Sequence, residues 1–184
     1  MPKKSKAKKS KPKKAKKLDP IPKGFATVTT YLSIDRAGEA LEWYKKAFGA
    51  KEVRRQTMPD GKIMHAMIRI GDSHVMMSDT MPGAPTKSPA ELGATTTTLH
   101  IYSKNVDKLW QQALDAGATV GMPLDNQFWG ERYGQIKDPF GHMWSLAQVV
   151  FMTPKEKKEK QEKAMAMFSQ GEHPGRQEQE MPAQ

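Results

Sequence analysis

The sequence predicts an α+β domain made of two tandem β-α-β-β-β modules. Short segments in which apolar and polar residues alternate are typical of half-buried strands. Two other segments carry apolar residues at helical spacing, and each ends at a Gly-Ala pair, Gly49-Ala50 and Gly117-Ala118. One strand-like segment precedes each helix and three follow it, so the same order of elements occurs twice and indicates an internal repeat.

Length and composition indicate one domain with charged tails. The chain has 184 residues, no cysteine and a formal net charge of +10. Ten lysines and no acidic residue lie between Lys3 and Lys17, so the rest of the chain is electrically balanced. The lack of cysteine excludes disulfides and thiolate metal sites, and it favours a reducing, cytoplasmic location. No apolar run approaches the roughly 20 residues of a membrane helix, so no membrane partner is expected.

Residues 1–22 form a Lys-rich arm with almost nothing to bury, and we expect this arm to be disordered. One interpretation is a purely solvating arm. Another is an arm that neutralises nucleic-acid phosphates, or a nuclear localisation signal. Because the arm has no aromatic residue for base stacking, nucleic-acid contact through Lys3–Lys17 would be weak, non-specific and sensitive to salt.

The first module covers about residues 25–80. Its first strand is predicted at Thr27–Ile34, and Asp35 is the expected N-cap of a helix that ends at Gly49. The segment Pro59-Asp60-Gly61 has the composition of a turn. Alternating residues and turns place the other strands at Lys51–Met58, Ile63–Ile70 and Ser73–Asp79.

Residues 81–93 are rich in Pro, Gly, Ala and Ser, and they predict a linker to a second module at about residues 94–150. A strand at Thr95–Tyr102 precedes a helix that Asn105 caps. The segment Asp138–Gly141 fits a type I turn, with Asp first, Pro second and Gly fourth. The remaining strands are predicted at Thr119–Gln127, Glu131–Lys137 and His142–Val149.

A charged helix is predicted at residues 153–168, followed by a disordered tail at residues 169–184. Thr153 and Glu156 have the spacing of a capping box, with a proline at the first helical position. Three apolar residues near the end of this helix are expected to dock on the core or on a second subunit: Met165, Met167 and Phe168.

Several local motifs occur in the same order as in a known family. They are Glu42–Ala50, Pro59–Gly61, Asn105–Asp107, Ala116–Ala118, Phe128–Gly134 and Asp138–His142. Together they resemble the vicinal oxygen chelate superfamily, which includes glyoxalase I, bleomycin-resistance proteins, fosfomycin-resistance enzymes and extradiol dioxygenases. The segment Phe128–Gly134, with Trp144-Ser145-Leu146, is most similar to the PhnB-like subgroup. The resemblance implies a domain at residues 23–150 in which the two modules form a curved mixed sheet around a cleft, with the helices outside.

In such a fold one face of each sheet lines the cleft. The residues expected there are polar and mixed, as a binding site requires: Thr27, Thr29, Tyr31, His65, Met67, Arg69, Thr96, Thr98 and His100. The alternative is that these side chains form a solvated sheet face.

The resemblance also implies where a metal would lie. Metal-using relatives hold a divalent ion with about four His or Glu ligands from the first and last strands of each module. The matching positions here fall on Thr29, Thr98, Ser145 and one residue between Met76 and Asp79. Neutral hydroxyls are poor ligands for transition metals, so no metal and no other cofactor is expected. The alternative is a divalent-metal site rebuilt from His65, His100 and Asp79.

The first functional hypothesis is a binding protein without metal, similar to bleomycin-resistance proteins, that sequesters an unknown small molecule and forms a homodimer. Aromatic rings would stack on the ligand, and Arg132 or Arg69 would hold an anionic group. The expected ligand-binding residues are Trp129, Arg132, Tyr133, Phe128, Tyr31, Thr29, Thr98, His100, Arg69 and Ser145. An equally supported alternative makes Trp129 and Arg132 a structural brace of their hairpin through a cation–π contact or a salt bridge.

The second hypothesis is an enzyme: a lyase, isomerase or dioxygenase that acts on a vicinal-oxygen substrate with a divalent metal. In that case His100 or His65 would act as the base and Asp79 as its partner. A third class, association with nucleic acid, depends only on the Lys-rich arm. The hydroxyl residues at the metal positions favour the binding protein over the metal enzyme.

Overall fold

The computed structural model describes residues 20–170. The predictions for most of the Lys-rich arm and for the tail from residue 171 lie outside this range. The helices and strands, in chain order, are β1 Thr30–Ile34, α1 Ala37–Phe48, β2 Lys51–Thr57, β3 Ile63–Ile70, β4 Ser73–Asp79, α2 Pro89–Leu92, β5 Thr98–Tyr102, α3 Val106–Asp115, β6 Thr119–Gln127, β7 Glu131–Lys137, β8 Met143–Val149 and α4 Pro154–Ser169. The predicted α+β class with two β-α-β-β-β modules is confirmed.

The two modules have the same strand topology. The first sheet has the order β1-β4-β3-β2 and the second has the order β5-β8-β7-β6. In each sheet the first and last strands of the module pair in parallel, and the other neighbours are antiparallel. The expected mixed sheet therefore consists of two four-stranded mixed sheets, one from each half of the repeat.

Two strands begin three residues later than the sequence predicted. The strand expected from Thr27 begins at Thr30, and the strand expected from Thr95 begins at Thr98. In both cases a threonine hydroxyl makes a local bond: that of Thr29 donates to the carbonyl of Ala26, and that of Thr95 donates to the carbonyl of Thr97. Such local bonds compete with the sheet ladder and keep these residues outside it.

Helix α1 begins differently from the prediction. Arg36, not Asp35, is the N-cap residue, and its backbone is left-handed with φ 63° and no capping bond from its side chain. The carboxylate of Asp79 accepts a hydrogen bond of 2.9 Å from the N–H of Ala37 and another of 2.6 Å from the N–H of Ile63. The helix is thus capped by the end of β4, and Asp79 is buried in a structural role.

One hydrophobic core joins the two modules. The rings of Tyr44 and Phe48 on α1 lie 5.4 Å and 4.7 Å from the ring of Trp144 on β8. The indole N–H of Trp43 donates to the carbonyl of Ala116 at 2.8 Å, and the side-chain amide of Gln112 donates to the carbonyl of Lys46 at 2.8 Å. Helices α1 and α3 therefore lie against each other, and the halves of the repeat share one interior.

The turn predicted at Asp138–Gly141 is present, and its aspartate organises the shared core. One carboxylate oxygen of Asp138 accepts from the backbone N–H groups of Phe140 and His142. The other accepts from the hydroxyl of Tyr44 at 2.8 Å and from the indole N–H of Trp144 at 2.9 Å. Burial, together with the neighbouring carboxylate of Asp138, raises the pKa of Tyr44 well above its usual range, so the phenol stays a donor.

The linker and the C-terminal segment each contain a helix. Ser88 caps the short helix α2, which the composition of residues 81–93 did not indicate. Helix α4 begins with the predicted capping box between Thr153 and Glu156. Within residues 20–170, no helix combines the length and the apolar character needed to cross a membrane.

Candidate functional site

Strand β7 presents different chemistry on its two faces. Ala147 on β8 pairs with Tyr133 on one side and Tyr102 on the other, and Ser145 pairs in the same way with Gln135 and His100. These residues therefore share the face that points away from the core. On the opposite face a Cβ added to Gly134 would lie 2.6 Å from the ring of Trp110 on α3. The missing side chain at Gly134 lets α3 lie close against β7.

Five aromatic side chains cluster on the outer face of the second sheet, and we call them the aromatic site. They are His100, Tyr102, Phe128, Trp129 and Tyr133. The Trp129 ring lies edge-on to Phe128 at 5.0 Å and to Tyr133 at 5.5 Å, while His100 lies 4.4 Å from Tyr102 and 6.0 Å from Tyr133. The side chains of β5, β7 and the β6–β7 turn therefore form one connected aromatic surface.

Glu131 orients two rings of the aromatic site. One carboxylate oxygen accepts a hydrogen bond of 2.6 Å from the hydroxyl of Tyr102, and the other accepts one of 2.8 Å from the indole N–H of Trp129. The bond to Glu131 raises the pKa of the Tyr102 phenol above its ordinary value. The carboxylate thus fixes both rings while their faces remain exposed.

Two more polar pairs lie beside the rings. His100 Nδ1 and the hydroxyl of Ser145 are joined by a hydrogen bond of 2.7 Å, and Ser145 is buried. The side-chain amide of Gln135 donates to the hydroxyl of Tyr133 at 2.7 Å. These bonds orient the imidazole and the phenol at the floor of the aromatic site.

A cavity of about 440 Å³ opens beside the aromatic site. Phe128, Trp129 and Tyr133 form one wall of it, and Ala164 and Phe168 of helix α4 form another. The remaining lining residues are Met122, Gln127 and Gln135. A cavity with mostly apolar walls and a few oriented polar groups is typical of a small-molecule site.

The structure separates Arg132 from this cavity. Because it alternates with Tyr133 along β7, Arg132 points to the helix side of the sheet, where it forms a two-pronged ion pair with Asp107 at 2.6 to 3.0 Å. The bonds between them lower the pKa of Asp107 and raise the pKa of Arg132. The salt-bridge brace is therefore the alternative that the geometry supports for Arg132. Trp129 borders the cavity, and its role in ligand binding stays a prediction.

The candidates from the first module lie on the other sheet. The hydroxyl of Tyr31 and Nδ1 of His65 are 3.4 Å apart, and a guanidinium nitrogen of Arg69 donates to the carbonyl of Gly71 at 2.7 Å. These contacts stay within the first module. Thr98 is exposed at the start of β5. Binding by Tyr31, Thr29, Thr98 and Arg69 stays a prediction.

The donor set at the family's metal positions does not fit a divalent cation. The hydroxyl of Thr29 donates to a backbone carbonyl outside β1, and that of Ser145 is bonded to His100. Both carboxylate oxygens of Asp79 accept backbone N–H bonds, which corrects its assignment as a ligand or catalytic partner of His65 and His100. Over residues 20–170, no group of three or more His, Cys, Asp or Glu side chains is arranged to hold a metal ion.

The sequence analysis did not name Tyr102, Glu131, Gln135 or Phe168 as site residues, nor three further residues that line the cavity: Met122, Gln127 and Ala164. Tyr102 lies two residues from His100 on β5, and Glu131 and Gln135 each lie two residues from Tyr133 on β7, so the period of two places them on the same face. Phe168 was predicted to dock on the core or on a second subunit. Its position in the cavity wall depends on where α4 lies, which no local pattern indicates.

Comparison with known proteins agrees with this architecture. The family model described as the Glyoxalase/Bleomycin resistance protein/Dioxygenase superfamily matches residues 26–146. The chain belongs to this superfamily. An uncharacterized protein of Mycobacterium tuberculosis is 45% identical over 126 residues, which cover 67% of this chain and 74% of that protein. The match to the family model confirms the superfamily that the sequence motifs indicated.

Solved structures show the same superfamily fold. TioX from Micromonospora sp. ML1 is 28% identical, covers 70% of this chain and 100% of its own length, and superposes with a TM-score of 0.53. The PhnB protein from Bacillus cereus is 20% identical, covers 67% of this chain and 100% of its own length, and superposes with a TM-score of 0.54. The segment that matches the family model runs from before β1 into β8, and it ends before α4.

Proposed function

We propose that this superfamily member binds a planar, largely apolar small molecule in the cavity beside the aromatic site, without a metal. The observation that carries the proposal is the cavity of about 440 Å³, whose walls include Phe128, Trp129, Tyr133 and Phe168. Nothing in the proposal requires a reaction, and sequestration of the ligand is the activity it describes.

The contacts around the cavity support binding of a flat molecule. Glu131 holds the indole of Trp129, and Gln135 holds the phenol of Tyr133, so both rings are oriented before a ligand arrives. Oriented rings lose little conformational entropy on binding, which improves affinity. The side chains of Gln127 and Gln135 supply hydrogen-bonding groups at the wall and would orient polar atoms of the ligand.

The same proposal includes a homodimer in the cytoplasm, as expected from the sequence and from the superfamily. The hydroxyls at the family's metal positions support binding without a cation, because they are poor ligands for transition metals. His100 adds a hydrogen-bonding group whose Nδ1 is held by Ser145 at 2.7 Å. Both features favour a binding protein over a metal enzyme.

Replacement of Trp129 by alanine is the direct test. A panel of planar aromatic compounds is screened by thermal shift, with and without divalent metals, and the affinities of the hits are measured by calorimetry. We expect hits that need no metal, and we expect Trp129→Ala to weaken them about tenfold because one stacking surface is lost.

Phe151→Ala is the matched control for this substitution. Phe151 is also an exposed aromatic residue, 93% exposed against 46% for Trp129, and it lies outside the cavity wall. The control should bind every hit with the affinity of the unsubstituted protein. Hits that bind Trp129→Ala as tightly as the original protein, or that bind only when metal is added, would contradict the proposal.

We further propose that the Lys-rich arm contacts nucleic acid weakly and without sequence specificity. Ten lysines in Lys3–Lys17 release condensed counterions when they contact phosphates, so such binding weakens steeply with salt. Deletion of Met1–Lys17 is expected to abolish retention on DNA-cellulose at low salt. Retention that survives the deletion would place the contact in the folded domain.

A further inference from the structure

A second cavity of about 300 Å³ lies next to the first. The two cavities share four lining residues, Met122, Gln127, Phe128 and Ala164. Because the same side chains border both spaces, the two cavities are adjacent, and we call the pair the trough; it lies between β6 and helix α4. Trp129 and Tyr133 border one end of the trough, and Lys160, Lys163 and Met167 border the other.

The far end of the trough carries positive charge. The ammonium group of Lys160 lies 3.6 Å from the carboxylate of Asp125, so that lysine is partly neutralised. Lys163 has no acidic partner among the residues that the structure describes, although it lines the same cavity. One acidic and two basic side chains leave this end with a net positive charge.

An unpartnered polar atom lies at the same end. The side-chain oxygen of Asn126 is buried and has no hydrogen-bond partner in the described chain. Buried polar atoms without a partner are rare in folded proteins and are often completed by a ligand or an ordered water. Asn126 borders the second cavity together with Lys163, and because its free atom is an acceptor, it would accept from an O–H or N–H of a ligand and not from an anionic group.

From this trough we propose the chemical class of the ligand: an elongated molecule with an aromatic ring system at one end and an anionic group at the other. The rings would stack against Trp129 and Tyr133, and a carboxylate, sulfonate or phosphate would pair with Lys163. The inference rests on the proposed function, because it assumes that the aromatic cavity binds a ligand. It adds a charge and a length that the aromatic site alone does not specify.

The cationic wall of the trough belongs to α4, which begins after the segment that matches the superfamily. No side chain of α4 is buried, and the Lys160–Asp125 ion pair links the helix to β6. A helix without a buried side chain adds little to the core, so the part of α4 that bears on this proposal is the side of the helix that borders the trough.

A pair of fluorescent probes with the same rings and different charge tests the proposal. The anionic probe is 2-(p-toluidinyl)naphthalene-6-sulfonate, and the neutral probe is N-(p-tolyl)-2-naphthylamine. Each is titrated into the full chain, into Lys163→Gln and into Lys158→Gln. The last variant is a matched control, because Lys158 is on the same helix, is 77% exposed and borders neither cavity.

The expected result is a selective loss. Lys163→Gln should weaken the sulfonate about fivefold, the size of one charge-assisted contact at a partly exposed site, and should leave the neutral amine unchanged. Lys158→Gln should bind both probes with the same affinity as the original protein. If Lys163→Gln binds the sulfonate as tightly as the original protein does, and also binds the neutral amine, this inference is overturned and the proposed function stands. Failure of both probes to bind the original protein would overturn both.

Discussion

Asp138→Ala is expected to lower the free energy of unfolding by about 4 kcal/mol, because it leaves several buried donors without an acceptor. The carboxylate of Asp138 accepts bonds from the hydroxyl of Tyr44, the indole N–H of Trp144 and the backbone N–H groups of Phe140 and His142. All of these groups are in the interior, where water cannot replace the lost oxygen atoms. Domains are stable by only about 5–15 kcal/mol, so the variant should be close to unfolded at 37 °C.

The measurement is denaturation in urea, followed by tryptophan fluorescence. Asp60→Ala is the matched control, since Asp60 is also the aspartate of a turn and also accepts a backbone N–H, that of Lys62 at 3.1 Å, but is exposed. That variant should lose less than about 1 kcal/mol, because water satisfies the donor that remains. An Asp138→Ala variant as stable as Asp60→Ala would show that the four bonds do not hold the two modules together.

Gly134→Ala is expected to destabilise the protein by about 3 kcal/mol through overpacking. A Cβ at Gly134 would lie 2.6 Å from the ring of Trp110 and 2.9 Å from the backbone Cα of Leu124. Separations that short force α3 or β6 to move. Because Tyr133 and Gln135 flank this glycine on β7, the aromatic site should lose ligand affinity as well as stability.

Gly121→Ala separates a real steric conflict from the general cost of changing a glycine in a strand. A Cβ at Gly121 would also meet an atom at 2.9 Å, but that atom is the terminal methyl of Met143, which can rotate away. We expect a change below about 1 kcal/mol for Gly121→Ala in the same urea experiment. The double variant Gly134→Ala with Trp110→Leu should recover part of the loss. If Gly134→Ala has the same urea midpoint of unfolding as the original protein, the predicted close approach of α3 to β7 is contradicted.

Local patterns carried most of the architecture. Short stretches of sequence are enough to predict the alternation on β7 and β8, the Gly-Ala helix ends and the aspartate turn. Strand and helix periods and turn chemistry act over only a few positions. The repeat then determined the order of elements without any tertiary information. The late starts of β1 and β5 were missed because threonine hydroxyls at Thr29 and Thr95 offered local bonds that compete with the ladder.

The candidate site was only partly visible in the sequence. Phe128, Trp129 and Tyr133 lie close together along the chain, and the sequence named all three as stacking surfaces for a ligand. Their contacts with one another, and the bond between His100 and Ser145, came only from the structure. The assignment of Asp79 failed for a different reason. Whether a carboxylate serves chemistry or caps a helix depends on which N–H groups the fold brings to it, and those of Ala37 and Ile63 come from distant segments.

The sequence by itself determined the family and the two modules, since both depend on residue type and spacing. Tertiary structure alone decided that Arg132 faces Asp107 and not the cavity, and that Asp138 joins the two halves of the core. It also decided that α4 closes the trough with Phe168 and Lys163. The physical reason is the same in each case: one-residue alternation sets the face of a side chain, but only packing between distant elements sets which partner that face meets.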